Sequence, residues 1–395
     1  MTAAPHTDRS DASIFASYAA AIAVCGANLL AYFALGIVVS VLPLYMRSEL
    51  QAGNVSVGVV MASYAVTTLC GRPLGGLWGD RAGYRRPASV GAALILAGTL
   101  GYSFLPSVAW LLLCRLFVGL GEGLSQAACI TWAISLAPAR ARAAILSYTG
   151  VSGWAGVALG SLVGDAVAAR FGYFGTFAFG ALAPTLGLGV LALIPAAPHV
   201  ARPASTLARL ASRFARQGVA YALVTVGYAA VLTFGALFLR AHGAATPSLL
   251  LRAFVAGVIG VRVVVGGLPA RLGPGRTAAL CAAAQATGTV LVAALPGDPG
   301  AVVLGGTVAG VGFGLSFPSI ALSALERVPA GDRGAAIGIV SAFFDVGMAA
   351  SGPVLGAIAD RASYAAAFGF AAACAAVASG IVVPRRRPEP HVESP

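Results

Sequence analysis

The chain has 395 residues, of which 58% are hydrophobic and only 10% charged, and its mean hydropathy is +0.88. A soluble domain cannot bury so much apolar surface, so we expect a lipid bilayer to solvate the chain. The net charge of +12 could indicate a nucleic-acid partner, but the basic residues, all of them arginine, lie mainly between apolar runs, which excludes nucleic acid and indicates membrane topology.

Long apolar runs predict an all-α, polytopic membrane protein with twelve transmembrane helices. The first run is too long for the core of a signal peptide, so we interpret it as a retained helix. The predicted spans are 18–45, 55–78, 88–105, 108–136, 144–168, 173–194, 217–239, 248–270, 277–295, 300–323, 335–359 and 363–383.

The arginines divide unequally between the two sides of these spans. If the N-terminus is cytoplasmic, 18 of the 25 lie in inner segments or at inner span ends, and 5 lie on the outer side. Only Arg115 and Arg262 are then left within spans. This asymmetry follows the positive-inside rule and places both termini in the cytoplasm.

A short basic hairpin, GRPLGGLWGDRAGYRR, separates the second and third spans at residues 71–86. Its Gly-Gly-Leu sequence recurs at 266–268, and the GxGxGLS sequence at 119–125 recurs 191 residues later at 310–316. Repeats in the same order predict two parallel six-helix bundles. We expect an N-terminal bundle at 1–196, a cytoplasmic linker at 197–216 and a C-terminal bundle at 217–395.

The hairpin carboxylate, Asp80, has a predicted gating role. A carboxylate at a cytoplasmic turn can accept hydrogen bonds from the N-terminal amides of a neighbouring helix, and the eleventh span begins on that side near Arg333. The alternative is that the hairpin is only a charge cluster that sets topology.

Three charged residues lie deep within predicted spans, where a charge costs at least roughly 2.5 to 3.5 kcal/mol. Arg115 and Glu122 lie seven residues apart in the fourth span, so they share one helix face. Glu122 either exchanges a proton or contacts substrate with Arg115 beside it, or both belong to a structural ion pair. Asp345, in the eleventh span, is either a second proton or cation site or is bridged to a serine or Arg262.

The whole chain resembles the major facilitator superfamily. Its hairpin matches that family's Gly-x-x-x-Asp-Arg/Lys-x-Gly-Arg/Lys-Arg/Lys motif except at Tyr84, where a basic residue is usual, and Ser161 replaces the usual proline of the fifth-helix antiporter motif. The stretches at 119–122, 312–319 and 343–345 resemble the branch of arabinose-efflux-type proteins and metallophore exporters. The resemblance implies that the hairpin latches the cytoplasmic side, through Gly76, Asp80, Arg81, Gly83 and Arg85.

Uncharged polar and aromatic residues are the remaining candidates for a substrate cavity. Asn28 and Gln126 are candidates because the resemblance implies that the first and fourth helices line the cavity, and the aromatic residues are candidates because they could stack on substrate. Helix–helix hydrogen bonding or core and lipid packing is the alternative for each of them. The candidates are Asn28, Gln126, Trp132, Trp154, Tyr228, Ser316 and Phe344.

These features predict a secondary transporter that moves a small solute by alternating access, with proton-driven efflux favoured over proton-coupled import. A membrane receptor is the less favoured alternative, and the absence of HExxH or a Ser–His pair argues against an enzyme. The histidines lie in tails or loops and the cysteines lack zinc-ligand spacing, so we predict neither metal nor cofactor. We expect a monomer in a bacterial inner membrane, with protons and lipid as further partners.

Overall fold

The computed structural model describes residues 8–195, 214–325 and 333–383, and this part of the chain is helical without strands. The helices are α1 (Asp8–Ser48), α2 (Asn54–Ala82), α3 (Arg85–Gly101), α4 (Val108–Leu136), α5 (Arg142–Gly180), α6 (Leu182–Leu193), α7 (Ala215–Ala241), α8 (Leu249–Val265), α9 (Leu268–Leu272), α10 (Pro274–Ala294), α11 (Pro299–Leu325), α12 (Arg333–Arg361) and α13 (Tyr364–Val382).

Twelve spans account for these helices. Nine stretches of the described residues are long and apolar enough to cross a membrane, and one of them, Ala144–Leu193, contains both the fifth and sixth predicted spans. The helices α3 and α8, each 17 residues long, supply the two others. The prediction of an all-α polytopic protein is confirmed, and most span ends fall within a few residues of the predicted ones, although α1 begins at Asp8 rather than residue 18.

Glycines with positive φ separate helices that apolar composition alone would merge. Gly172, at φ 67°, divides α5 and so ends the fifth span. Gly83 and Gly273, at φ 84° and 85°, make the turns that follow the two Gly-Gly-Leu sequences. A side chain is strained in this left-handed region, so glycine lets the chain reverse within one residue.

The two halves of the chain repeat one packing scheme. In the first half, α1 packs on α5 and α6, and α4 packs on α2 and α3. In the second half, α7 packs on α12 and α13, and α11 packs on α8 and α10. The predicted linker lies largely outside the described residues, so the division into bundles at 197–216 stays a prediction.

The halves meet through two equivalent helix pairs, α2 with α12 and α5 with α8, and α1 also packs on α7. We call the end of the bundle that carries the turn at Gly83 the hairpin end, and the opposite end the distal end. Near the distal end, Gly58 and Gly352 let α2 and α12 cross in direct backbone contact, since a Cβ on Gly58 would lie 2.0 Å from the Gly352 carbonyl oxygen.

Carboxylates at helix N-termini reinforce both contacts at the distal end. The Asp360 carboxylate on α12 accepts hydrogen bonds from the backbone amides of Asn54 and Val55, at 3.2 and 3.1 Å, and from the Asn54 side chain at 2.8 Å. At the other pair, Asp165 on α5 accepts hydrogen bonds from Ser248, just before α8, and from Arg252 at 2.6 Å. Negative charge at a helix N-terminus is favourable, so both contacts stabilise a closed distal end.

We predict that Asp360→Ala opens the distal end, because it removes three hydrogen bonds that join the halves. The measurement is the spin-label distance between Glu49→Cys and Ala241→Cys, two exposed distal positions in different halves, with the exposed Cys70 replaced by serine. The population at longer distance should rise in Asp360→Ala and, for the same reason, in Asp165→Ala.

The matched control is Asp298→Ala. Asp298 lies in the loop before α11 and, within the part of the chain that the structure describes, accepts a side-chain hydrogen bond from the nearby Gly300 amide of its own half alone. Its removal should leave the distance distribution unchanged. A wild-type distribution in Asp360→Ala would show that the glycine contact alone holds the distal end closed.

Candidate functional site

A single arginine connects two buried carboxylates in the middle of the bundle. Arg72 on α2 donates a hydrogen bond to Asp345 on α12 at 2.9 Å, and its second terminal nitrogen lies 3.7 Å from Glu122 on α4. Asp345 is 2% exposed and Glu122 7%, whereas 23% of the Arg72 side chain is exposed. This ion bridge therefore joins the two halves through two buried carboxylates and a half-buried arginine, whose Nε is itself buried and has no hydrogen-bond partner among the described residues.

Glu122 is held by further hydrogen bonds from its own half. The hydroxyl of Tyr32 on α1 donates to one carboxylate oxygen at 2.6 Å, and that of Thr68 on α2 donates to the other at 2.9 Å. Gln126, one turn after Glu122, donates to the Tyr32 hydroxyl. Asp345 has Arg72 as its hydrogen-bond donor among the described residues, so it depends more heavily on the bridge.

Glycines bring α2 and α4 close enough for these contacts. A Cβ on Gly75 would lie 2.6 Å from the Leu124 carbonyl oxygen, and one on Gly119 would lie 2.1 Å from the Tyr64 carbonyl oxygen. The short spacing lets Thr68 and Arg72, one turn apart on α2, face Glu122 directly.

Arg115 and Glu122 share the helix face that packs on α2, as their spacing predicts, but they do not pair in the structure. Arg115 donates to the Met61 carbonyl oxygen at 3.1 Å, and its guanidinium lies 4.7 Å from the centre of the Tyr64 ring. It is fully buried, and two of its nitrogens have no hydrogen-bond partner among the described residues. Seven residues make two helical turns, which keeps the face but separates the charges along the axis.

The sequence did not identify Arg72 as the partner of both acids. The arginine count places it at an inner span end, although it lies inside the predicted span 55–78 and therefore requires a partner there. Arg262, one of the partners considered for Asp345, instead donates to the Gly314 carbonyl oxygen at 3.0 Å.

An aromatic cluster lies beside the ion bridge, on helices α5, α7, α8, α11 and α12. Tyr228 stacks on Phe313 with ring centres 4.9 Å apart and on Phe344 at 5.9 Å, and Trp154 meets Tyr228 edge-on at 5.5 Å. Trp154 and Phe344 are only half-buried. Three predicted cavity residues thus come together, and Phe313, which the sequence analysis did not single out, lies at the centre.

The structure places three other predicted cavity residues in helix packing. The Asn28 amide donates to Ser152 at 3.0 Å and to the Thr149 carbonyl oxygen at 3.3 Å, which ties α1 to α5. Ser316 donates to the Gly312 carbonyl oxygen of its own helix at 2.7 Å. Trp132 packs in a separate cluster with residues of α1, α3 and α6.

The hairpin residues occupy a compact turn. The Tyr84 hydroxyl donates to Asp80 at 2.6 Å, and the Tyr84 ring packs so closely on Gly79 that a Cβ there would lie 2.2 Å from it, which explains an aromatic residue at this motif position. Arg85 donates to the Ala192 carbonyl oxygen at the end of α6. Arg81 is exposed, and a Cβ on Gly76 would meet open space. The side chains at 333–335 lie outside the described residues, so a contact between Asp80 and the start of α12 stays a prediction.

Two carboxylates that share one guanidinium can exchange protons without leaving a charge isolated, because the arginine can neutralise whichever acid is ionised. The described residues contain no group of three His, Cys, Asp or Glu side chains placed to bind a metal ion. Together with the half-buried rings, the site offers proton exchange next to a stacking surface.

Comparison with known proteins identifies the family. The family model of the Major Facilitator Superfamily matches residues 24–330 and 218–395. An uncharacterized MFS-type transporter of Salmonella typhimurium is 28% identical over 367 residues, which cover 91% of this chain and 94% of that protein. One of Pseudomonas aeruginosa is 30% identical over 365 residues, which cover 90% of each chain.

Solved structures show the same fold. A mutant form of the nucleoside transporter NupG superimposes with a TM-score of 0.80 at 15% identity, covering 92% of this chain and 98% of that one. A mutant of the peptide transporter POT gives 0.77 at 17% identity, covering 92% and 93%. The chain belongs to the major facilitator superfamily, and it is a multi-pass membrane transporter of a small-molecule substrate rather than an enzyme.

Proposed function

We propose that the chain is a proton-coupled exporter of a small organic solute, with Glu122, Arg72 and Asp345 as its coupling residues. The observation that carries this proposal is the ion bridge, in which one half-buried arginine contacts a buried carboxylate from each half. Charges within a membrane are energetically costly, so those that occur there usually perform a function. Proton relays are a common function of such residues.

Protonation of Asp345 would remove the negative charge on α12 that attracts Arg72 of α2. Arg72 could then turn fully to Glu122, and the ionic contact between α2 and α12 would be lost. A proton can change the balance between two conformations only by binding them differently. A bridge that crosses the moving interface meets that condition, because separation of the halves breaks it.

We assign the outward direction on the resemblance to the arabinose-efflux-type and metallophore-exporter branch. The arginine distribution places the hairpin end in the cytoplasm, so the distal end faces outward and both termini are cytoplasmic. A bacterial inner membrane and a monomeric transporter, whose two halves come from one chain, complete the proposal. If flux experiments show proton-coupled import instead, the proposed direction of transport is wrong but the proposed proton coupling stands.

Asp80 is proposed to close the hairpin end as Asp360 closes the distal end. Each carboxylate lies near the end of one helix of the α2–α12 pair, one at each end of the contact. Acids that bind helix N-termini at opposite ends would stabilise opposite conformations, so the two ends would alternate. Arg115, Gln126, Trp154, Tyr228 and Phe344 are proposed to line or tune the central site.

Transport should depend on the proton gradient. One charge that crosses 100 mV supplies about 2.3 kcal/mol, which at about 1.4 kcal/mol per decade holds roughly a fortyfold solute gradient. In proteoliposomes with a fixed substrate gradient, an uncoupler should abolish the movement of substrate against its own concentration gradient. Flux that is unchanged by the uncoupler, with the proton gradient set in either direction, contradicts coupling.

The variant Glu122→Gln should lose concentrative transport but keep its fold. The carbonyl oxygen of glutamine can still accept from Tyr32, and its amide NH2 can donate to the Thr68 hydroxyl, which has the Tyr64 and Gly119 carbonyl oxygens as alternative acceptors, yet glutamine has no titratable proton. Counterflow of substrate, which needs no net proton movement, should survive. The matched control is Glu49→Gln, the same change at an exposed position of the distal end, which should transport normally. Concentrative transport by Glu122→Gln would assign Glu122 a structural role.

The variant Asp80→Asn should shift the conformational balance in the direction opposite to Asp360→Ala. Loss of the proposed hairpin-end latch favours opening at that end, so the distal labels at Glu49→Cys and Ala241→Cys should report a larger closed population. Turnover should fall while substrate affinity changes little, because Asp80 is far from the central site. An unchanged distance distribution with normal flux would mean that the hairpin serves only topology.

A further inference from the structure

Equivalent positions of the two halves can be assigned from their backbone contacts. Gly119 on α4 approaches the carbonyl oxygen of Tyr64 on α2, and Gly310 on α11 approaches that of Phe254 on α8 in the same way. The helices α4 and α11 therefore correspond with an offset of 191 residues, and α2 and α8 correspond with an offset of 190. Gly156 approaches the Leu29 carbonyl oxygen as Gly347 approaches that of Ala222. This second pair gives α5 and α12 an offset of 191.

The offsets relate the ion bridge to a second site with different chemistry. Arg72 on α2 corresponds to Arg262 on α8. The two acids correspond to aromatic residues, since the offset of 191 relates Glu122 to Phe313 and Asp345 to Trp154. The second site, to which both halves contribute, thus retains the arginine but has a ring in place of each carboxylate, and these rings contact each other with centres 5.6 Å apart.

Arg262 has a charge that the described residues do not neutralise. Its Nε donates to the Gly314 carbonyl oxygen at 3.0 Å, and its guanidinium lies 5.8 Å from the centre of the Trp154 ring. None of the ion pairs among the described residues includes it. Its Nη1 lies beside Gly150 on α5, where a Cβ would be in van der Waals contact at 3.7 Å. Arg262 is half-buried, and its two terminal nitrogens have no hydrogen-bond partner among the described residues.

We propose that Arg262 binds the anionic group of the transported solute, and that Trp154, Tyr228 and Phe313 hold a flat apolar body beside it. The solute class is therefore an organic anion, whose charge takes the place that Glu122 and Asp345 fill around Arg72. Arginine presents donors in a planar fork that matches a carboxylate or phosphate group, and because the Gly314 carbonyl oxygen takes the Nε–H of Arg262, its two terminal nitrogens remain to bind the anion. This inference rests on the proposed transport function, because it assumes a solute that enters between the halves.

The location suits a solute that is released when the halves move. Arg262 lies on α8 and Trp154 on α5, the pair of helices by which the halves meet on the side away from the ion bridge. An anion that contacts both is bound most tightly in one arrangement of the halves. Proton and solute then occupy equivalent interfaces of one rigid-body movement.

Binding of three naphthalene probes to purified full-length protein tests the inference by isothermal titration calorimetry. The probes are 2-naphthoate, the neutral 2-naphthamide and the cationic 2-naphthylmethylammonium, which share one ring system and differ in charge. Wild type should bind 2-naphthoate roughly tenfold to a hundredfold more tightly than 2-naphthamide, as expected for charge-assisted hydrogen bonds. The cation should bind most weakly.

Three variants assign the preference to Arg262. Arg262→Gln should bind naphthoate and naphthamide equally, and Arg262→Lys, which keeps the charge but not the planar fork, should retain part of the preference. Arg240→Gln, which removes an exposed arginine at the distal end of α7, should behave as wild type. A preference that persists in Arg262→Gln, equal binding of acid and amide by wild type, or no binding of any probe overturns the inference.

Failure of this inference is distinguishable from failure of the proposed function. Proton-dependent flux of a cationic or neutral solute, without an Arg262-dependent preference, removes the anion site and leaves proton coupling in place. An Arg262-dependent preference for naphthoate combined with flux that ignores the proton gradient leaves the anion site and removes coupling.

Discussion

The structure depends on the placement of Arg72 between two buried carboxylates that belong to different halves. Charges taken out of water carry a desolvation penalty of several kcal/mol each, and removal of one partner from a buried pair costs about 3 to 5 kcal/mol because the other charge is left uncompensated. The two halves are therefore joined by an interaction that is expensive to break by separation but inexpensive to break by protonation. The Asp360 and Asp165 contacts at the distal end and the Gly58–Gly352 crossing add further attraction between the halves.

Close helix approach is the condition for this arrangement. Lipid offers no hydrophobic driving force between helices, so backbone contact and hydrogen bonds must hold them together. The glycines at 71 and 75 on α2 and at 119 and 123 on α4 meet backbone atoms of the opposite helix. Because the backbones touch there, Thr68 falls within hydrogen-bonding distance and Arg72 within ion-pair distance of Glu122.

The sequence predicted the helices well because apolar length and glycine turns are local properties. It placed Arg115 and Glu122 on one face correctly, since helical periodicity fixes that relation. It could not assign the partner of Asp345, because the choice between Arg262 and Arg72 depends on which helices of the two halves are in contact. Hydropathy likewise gives no sign of whether Trp132 or Phe313 faces the centre, since both are apolar residues on helices of equivalent position.

Duplication explains why the central site has two different parts. The backbones of the halves are equivalent, so each change at a position such as 122 or 313 alters only one of two matching environments. One interface, α2 with α12, has acquired acids around its arginine, and the other, α5 with α8, has acquired rings around the corresponding arginine. In the proposed mechanism the proton binds the first interface and the solute the second. Both interfaces open and close in the same movement of the halves, so each ligand changes the affinity for the other without direct contact between them.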